Sequence, residues 1–287
     1  MITTTQFTQR LVDALDAEYL RRLQESSADW EKRNEGHTIS GSSFGTCLRL
    51  CHFRANENGT AKDPAFTDKL DDQSKRYMYL GLLAEEVIID ALTASGIPTG
   101  GYVHKEQLGE PVVQRYDMGG YTISAANDLT TECKDDDGVY YIPTEIKTTD
   151  RIYSRKEGDE WVSPQKWWDS FVGRESNVIQ LGQWIHIAKL NKLRVPFGVI
   201  LYLRRATWDV RLVIIDVTGD AIGAHEQNEV VRVIDYQAEL EPLLIDRNEK
   251  LKQAMNGGEE PEYDPTIPNY VCKGCNYYQK CKHLMGK

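Results

Sequence analysis

The chain has 287 residues, 40% of them hydrophobic and 27% charged, with a formal net charge of −10. That length buries a substantial core as one large domain or two small ones, and the composition is ordinary for a soluble globular protein. A secretory apolar region, a run long enough to span a bilayer and a lipidation motif are all missing from the sequence, which predicts a cytoplasmic protein with no membrane partner.

Residues 1–40 read as mostly helical, with Phe7, Leu11, Leu15, Leu20 and Leu23 at roughly helical spacing among charges, and no chemistry is assigned to them. A cap-like Ser40-Gly41-Ser42-Ser43 then leads into a segment where Cys47 and Cys51 stand four apart and would share a helix face. Buried free cysteines are common packing residues, so this pair alone is a weak signal. Lys75 to Ser95 reads as a helix with Leu80, Ala84, Val87 and Ala91 on one stripe and Gly81, Glu85, Ile88 and Leu92 on the next. Glu85 is therefore an acid in apolar company, and such an acid needs a partner: a metal, or a salt bridge within the core.

Tyr121 to Asp150 reads as two antiparallel strands around the acidic turn Asp135-Asp136-Asp137-Gly138, because β-branched and aromatic residues dominate both flanks and Asp-Gly favours hairpins. With Asp137-Gly138 as the loop, Asp128 falls opposite Lys147; with the loop one residue earlier, it falls opposite Glu145. Glu145 and Lys147 share one face of their strand and Ile146 points to the other. A three-residue loop would turn Asp128 away, and Pro143 suggests an edge or a bulge that would shift the register. Two carboxylates and an ammonium on one strand pair suit phosphodiester hydrolysis: the carboxylates hold a divalent cation and the lysine orients or deprotonates water. A surface hairpin with a cross-strand salt bridge is the bland alternative.

Residues 151–168 mix cations with aromatics, among them Arg151, Arg155, Lys156, Lys166 and Trp167. That is the composition of a single-strand path, where bases stack on rings and phosphates meet Lys and Arg; a capping loop with buried tryptophans competes with it. The net negative charge speaks against a broad basic face of the kind nucleic-acid binders carry, although acids at a metal site add to that count and a local basic groove is compatible with it. Ser176 to Leu190 reads as a helix carrying Gln180 and Trp184 one turn apart, which by itself suggests only a buried tryptophan face. Phe197–Arg205 and Val210–Val217 read as strands, and Glu229–Met255 as largely helical.

After a Gly- and Pro-containing linker, Cys272, Cys275 and Cys281 form a C-x2-C-x5-C group. In a reducing compartment this clustering reads as a metal site rather than as disulfides. Three thiolates need a fourth ligand, and Cys47 or Cys51 would supply it by closing a very long loop. Four thiolates suit a cubane iron-sulfur cluster or zinc, and His52 or His283 could complete a zinc site; Cys133 is an incidental thiol.

This ordered set resembles the iron-sulfur members of the RecB-type PD-(D/E)XK nucleases, the group that includes CRISPR-associated adaptation exonucleases, the AddB nuclease subunit and phage relatives. The cysteine frame carries most of the likeness, and Cys47-Leu48-Arg49 resembles the leading cysteine segment of that group better than Cys51-His52-Phe53 does. Gly81 and Glu85 have the spacing of its glycine and metal-binding histidine, with glutamate in the histidine's place. Asp128, Glu145-Ile146-Lys147 and Thr148 follow in the family's order, though the glycine usual before the aspartate is absent. Gln180 and Trp184 match a Gln-x-x-x-Tyr motif with tryptophan for tyrosine.

The resemblance implies an α/β fold with a restriction-endonuclease-like core, a mixed central sheet flanked by helices, and helical N- and C-terminal segments joined by a metal cluster. It divides the chain into an N-terminal segment (1–74), a core (75–217) and a C-terminal cysteine segment (218–287), forming one compact unit. It implies a DNA exonuclease preferring single strands, with Mg2+ or Mn2+ held by Glu85, Asp128, Glu145 and the Ile146 carbonyl. Lys147 would act on water, Gln180 would position the site and Trp184 would stack on the DNA. A 4Fe-4S cluster, with zinc as the alternative, would sit on Cys47, Cys272, Cys275 and Cys281, and a helicase or a CRISPR integrase is the implied protein partner. The rival readings are a binding or assembly protein on a nuclease scaffold and a zinc-stapled protein of other function.

Overall fold

The computed structural model describes residues 38–40, 47–56, 81, 83–84, 86–88, 100–104, 113–149, 154–157, 160–205, 207–219, 229–262, 272, 275, 277–278 and 281. The helical expectation for residues 1–40 lies outside them up to residue 37, and residues 38–40 depart from it, forming a short strand paired in parallel with residues 122–124. The described residues form a mixed α/β structure around a six-stranded sheet of order β11-β10-β9-β6-β5-β2. Its strands are β2 (Gly100–His104), β5 (Leu129–Asp135), β6 (Gly138–Thr149), β9 (Phe197–Arg204), β10 (Val210–Asp216) and β11 (Val230–Asp235). β6 runs parallel to β9 and antiparallel to β5, so the sheet is mixed. A second sheet of order β1-β4-β3 uses β1 (Thr38–Ser40), β3 (Val113–Asp117) and β4 (Thr122–Ala126). β7 (Arg155–Glu157) and β8 (Glu160–Val162) form a separate hairpin.

Helices among the described residues include α1 (Leu48–Asn56), α2 (Pro164–Asp169), α3 (Glu175–Leu190) and α4 (Glu241–Met255). Ser163 starts α2 by accepting the Lys166 N–H at 3.1 Å, and Pro164 supplies the first-turn residue that needs no N–H partner. α3 is buried along Val178–Ile179 and Leu181–Ala188, as expected of a helix apolar on most of its circumference. It lies across β3, β4, β6 and β9 and packs on α4. Gly198 permits that approach, because a Cβ there would stand 2.9 Å from Ile185 Cδ1 and 3.2 Å from Leu181 Cδ2. The main core joins α3 to β9, β10 and β11 through Trp184, Ile185, Ile200, Val213 and Ile234, and to α1 through Cys51 and Ala55.

Three further elements differ from the sequence reading. The segment from Tyr121 to the acidic turn is not one strand: it breaks at Asn127-Asp128, sending β4 into the small sheet and β5 into the large one. Thr130 Oγ1 donates to Asn127 Oδ1 at 3.0 Å inside this break, a side-chain bond that competes with ladder pairing. Residues 230–235 are a strand rather than the start of a long helix, because Val230, Val233 and Ile234 pair parallel with the free edge of β10. The helix begins only after Asp235, whose carboxylate accepts the Ala238 N–H at 2.9 Å and caps a π turn over Tyr236–Leu240. Finally, residues 155–157 and 160–162 pair as β7 and β8, and residues 164–169 form α2, rather than a loop.

The expected boundaries after residues 74 and 217 both cut hydrogen-bonded strand pairs, β1 with β4 and β10 with β11. No helix among the described residues is long and apolar enough to cross a membrane.

Candidate functional site

The hairpin decides where the carboxylates stand. Asp135 pairs with Gly138, leaving Asp136-Asp137 as the two-residue loop, and the ladder runs back to Leu129 opposite Thr144. Counting one step further puts Asp128 opposite Glu145, the second of the two registers the sequence allows. Arg194 holds the turn from outside, with Nη1 2.5 Å from Asp135 Oδ1 and Nη2 3.5 Å from Asp137 Oδ2. That guanidinium holds the Asp135 carboxyl below the usual carboxylate range. Pro143 introduces no bulge. The Tyr141 N–H donates to Arg194 O on the β9 side, and β9 pairing starts only at Thr144, so Pro143 sits where the ladder needs no donor.

Asp128 lies in the bend before β5 and is 9% exposed; its Oδ2 accepts the Ile146 N–H at 2.8 Å. Glu145 is 2% exposed, and its Oε1 accepts from Lys147 Nζ and, at 2.6 Å, from Gln180 Nε2 on α3. Lys147 is the more open member, its side chain 29% exposed. Both carboxylates, the ammonium and the amide are thus brought to one place by β5, β6 and α3. Buried acids are tolerated only with such donors, and two oxygen anions side by side form a donor set for a hard divalent cation. Ile146 turns to the opposite side and packs with Leu129, Ile88 and Leu201.

Glu85 lies outside the described residues. Gly81 and Ile88 meet Thr148 and Ile146, on the side of β6 away from Glu145 and Lys147: a Cβ at Gly81 would stand 3.2 Å from Thr148 Oγ1.

Trp184 requires a correction. It is 1% exposed and packed in the main core, so its ring presents no face to a base. A helix apolar on most sides, lying across two sheets, leaves no solvent-facing position at that residue. Trp167 is half-buried, in ring contact with Trp168 and Phe171 at 6.3 and 5.2 Å between centroids. Lys166 is exposed and paired with Glu160 at 2.7 Å. Arg155 and Lys156 lie on β7, and Arg151 is outside the described residues. Among the described residues of this region, the open ring is Trp161, 70% exposed on β8 opposite Lys156.

Two residues that the sequence reading passed over complete the surroundings. Tyr202 on β9 is paired directly with Lys147, and its hydroxyl accepts from the Arg174 N–H at 2.9 Å and from Asn177 Nδ2 at 3.0 Å. Only the β6-β9 register reveals them; no local spacing signals it.

Residues 47–49 meet the C-terminal cysteines Cys275 and Cys281. Cys47 immediately precedes α1 and accepts the Cys51 N–H, while Arg49 on α1 reaches Pro261 O at 2.8 Å and Cys281 Sγ at 3.4 Å. Burial pushes the Cys47 thiol up, the Leu50 and Arg49 N–H groups pull it back, and nearby Cys281 and Cys275 push it up again. Cys51 instead is fully buried in the core beside Tyr121. The two candidates for the leading ligand therefore part: Cys47 faces the C-terminal thiols and Cys51 faces the core. Cys133 is buried opposite Tyr140. Among the described residues, no three Cys, His, Asp or Glu side chains already stand at ligand spacing. The donor chemistry fits a thiolate-bound metal all the same, since Arg49 supplies a cation at a sulfur that would carry charge.

No family model matches the chain. No curated protein matches it either. Among solved structures it is similar to SSO0001, at 13% identity and a TM-score of 0.48, over 94% of this chain and 96% of that one.

Proposed function

We propose that the chain is a metal-dependent deoxyribonuclease of the RecB type, acting as an exonuclease on single-stranded DNA. One observation carries the reading: Asp128, Glu145, Lys147 and Gln180, drawn from three elements, converge on a single buried carboxylate cluster. A structural salt bridge accounts for Lys147 and Glu145, but not for a second buried carboxylate placed opposite and an amide delivered from a helix.

Asp128 and Glu145 would hold Mg2+ or Mn2+, with the Ile146 carbonyl assisting; Glu85 joins the set through the family resemblance alone. When bound, such a cation neutralises charge on the scissile phosphate. The Ile146 N–H fixes one oxygen of Asp128, and Gln180 fixes one oxygen of Glu145, so neither carboxylate need reorganise when charge develops. Lys147, more solvent-open than either carboxylate, would orient or deprotonate the attacking water. Trp161 and the cations of residues 155–166 follow the catalytic strand directly and would take the single strand, bases on the ring and phosphates on Lys and Arg.

Cys47, Cys272, Cys275 and Cys281 would hold a 4Fe-4S cluster, or zinc, tying the start of α1 to the C-terminal segment. Its role would be structural, because in the sequence these cysteines flank the carboxylate and lysine motifs rather than interrupt them.

The deciding test compares wild type with Lys147→Ala on end-labelled single- and double-stranded DNA with manganese, magnesium or chelator, using anaerobically prepared protein. Metal-dependent cleavage that falls by about 10²-fold or more in the variant is expected. Cleavage that survives the substitution, or none from folded wild type, would defeat the reading and favour a binding or assembly protein.

A further inference from the structure

Tyr202 and Asn177 stand behind the carboxylate cluster. Lys147 and Tyr202 are direct partners on parallel β6 and β9, so their side chains leave the same face of the sheet. The Tyr202 hydroxyl is reached by two donors from the start of α3, Arg174 N at 2.9 Å and Asn177 Nδ2 at 3.0 Å. Gln180 lies three residues beyond Asn177, hence one turn along the same helical face, and donates to Glu145 at 2.6 Å. α3 is thus fastened to the site face of the sheet at two polar points one turn apart, on Tyr202 and on Glu145. The loop into α3 is shaped for the first point: Gly173 has φ +90°, and a Cβ there would stand 2.8 Å from Val213 Cγ2 and 3.3 Å from the Tyr202 ring. Arg174, at the helix N-cap, makes no side-chain cap of its own, so the phenol oxygen serves this end of the helix instead.

From this geometry we infer that Tyr202 and Asn177 form a positioning pair for the metal site: the phenol–amide bond sets the rotation and height of α3 on the sheet, and thereby the angle at which Gln180 presents Glu145 to the cation. The inference rests on the reading of the cluster as a metal-dependent hydrolase. Neither residue touches the carboxylates; both act through Gln180, and a few tenths of an ångström at the start of α3 pass directly into a bond 2.6 Å long.

Tyr202→Phe keeps the ring and deletes only the hydroxyl; Asn177→Ala deletes the donor from the other side. For each full-length variant, manganese affinity is measured from the free-ion EPR signal, and kcat and KM are measured on an end-labelled single-stranded oligonucleotide. Each variant is expected to bind manganese about ten-fold more weakly and to lose about ten-fold in kcat, with KM for DNA unchanged. The double variant is expected to be no worse than the poorer single one, because the two groups form one bond. A purely structural role would lower Tm in both variants while leaving the manganese affinity of the folded protein unchanged, and that result overturns the inference. If wild type binds manganese but cleaves nothing, the hydrolase reading falls, and the positioning pair is still decided by the two variants' affinities. If wild type binds no manganese, both fall.

Discussion

Gln180 Nε2 donates to Glu145 Oε1 at 2.6 Å, joining a helix to a strand across 35 positions of sequence. Glu145 is almost fully buried and takes the Lys147 ammonium on the same oxygen, so Gln180 supplies a neutral donor where a second cation would compete with a metal. Gln180→Ala is expected to lower kcat by about 10- to 100-fold with little change in KM for DNA. Gln180→Glu, which sets a like charge against Glu145, should be worse than alanine at equal protein stability. Steady-state cleavage of a labelled oligonucleotide with manganese checks both.

The separation of Cys47 from Cys51 makes a prediction that needs no activity. If anaerobically purified wild type holds the proposed iron or zinc, Cys47→Ala is expected to lose most of it. Cys51→Ala, a core truncation at a fully buried position, should retain the metal and lose only about 1–2 kcal/mol of stability. Metal content by elemental analysis and the visible spectrum decide it; equal loss in both variants would contradict the assignment.

Trp184 is a matter of stability rather than of binding. Truncating a fully buried tryptophan costs about 3–5 kcal/mol, and Trp184→Phe should recover a large part of that. Folded Trp184→Phe protein should bind single-stranded DNA like wild type in fluorescence anisotropy, whereas Trp161→Ala should bind more weakly.

His186 contributes a pH dependence. Its Nδ1 lies 3.0 Å from the Tyr236 hydroxyl inside the helix layer, and burial lowers its pKa, with Glu241 pulling up and Lys189 pushing down. The neutral ring is therefore favoured in the folded state, and below the ordinary histidine value the unfolded chain binds the extra proton first. Stability should be flat above that value and fall progressively as pH drops from it toward the folded-state value. Urea denaturation at pH 7.5, 6.5 and 5.5 should show this slope in wild type, and a shallower one in His186→Gln.

Much of the site was legible in residues 121–150, because strand alternation and an acidic turn restrict Asp128 to one neighbourhood. The alternation places Glu145 and Lys147 together whichever register holds, and both allowed registers bring Asp128 to that pair. The choice between them turned on Gly138, which pairs with Asp135 instead of entering the loop. The break at Asn127-Asp128 was not legible, since a strand that leaves one sheet for another looks continuous when only its local pattern is read. The same limit applied to residues 230–235, where a β-branched run joined to an amphipathic stretch read as one helix until the edge of β10 claimed it.

What the sequence determined by itself was chemical inventory and local geometry: two acids and a lysine at strand spacing, a glutamine on a helix, and cysteines at both ends of the chain. Residue type and short-range periodicity are enough for these, because side-chain direction along a strand or helix follows from backbone geometry alone. Only the tertiary structure decided which of them meet. Burial of α3 on two sheets turned Trp184 inward and Gln180 onto Glu145; the β6-β9 register set Tyr202 beside Lys147; and the packing of α1 sent Cys47 toward Cys281 and Cys51 into the core. Each of these contacts joins residues far apart in the chain, held by the burial of shared apolar surface that no short window of sequence contains.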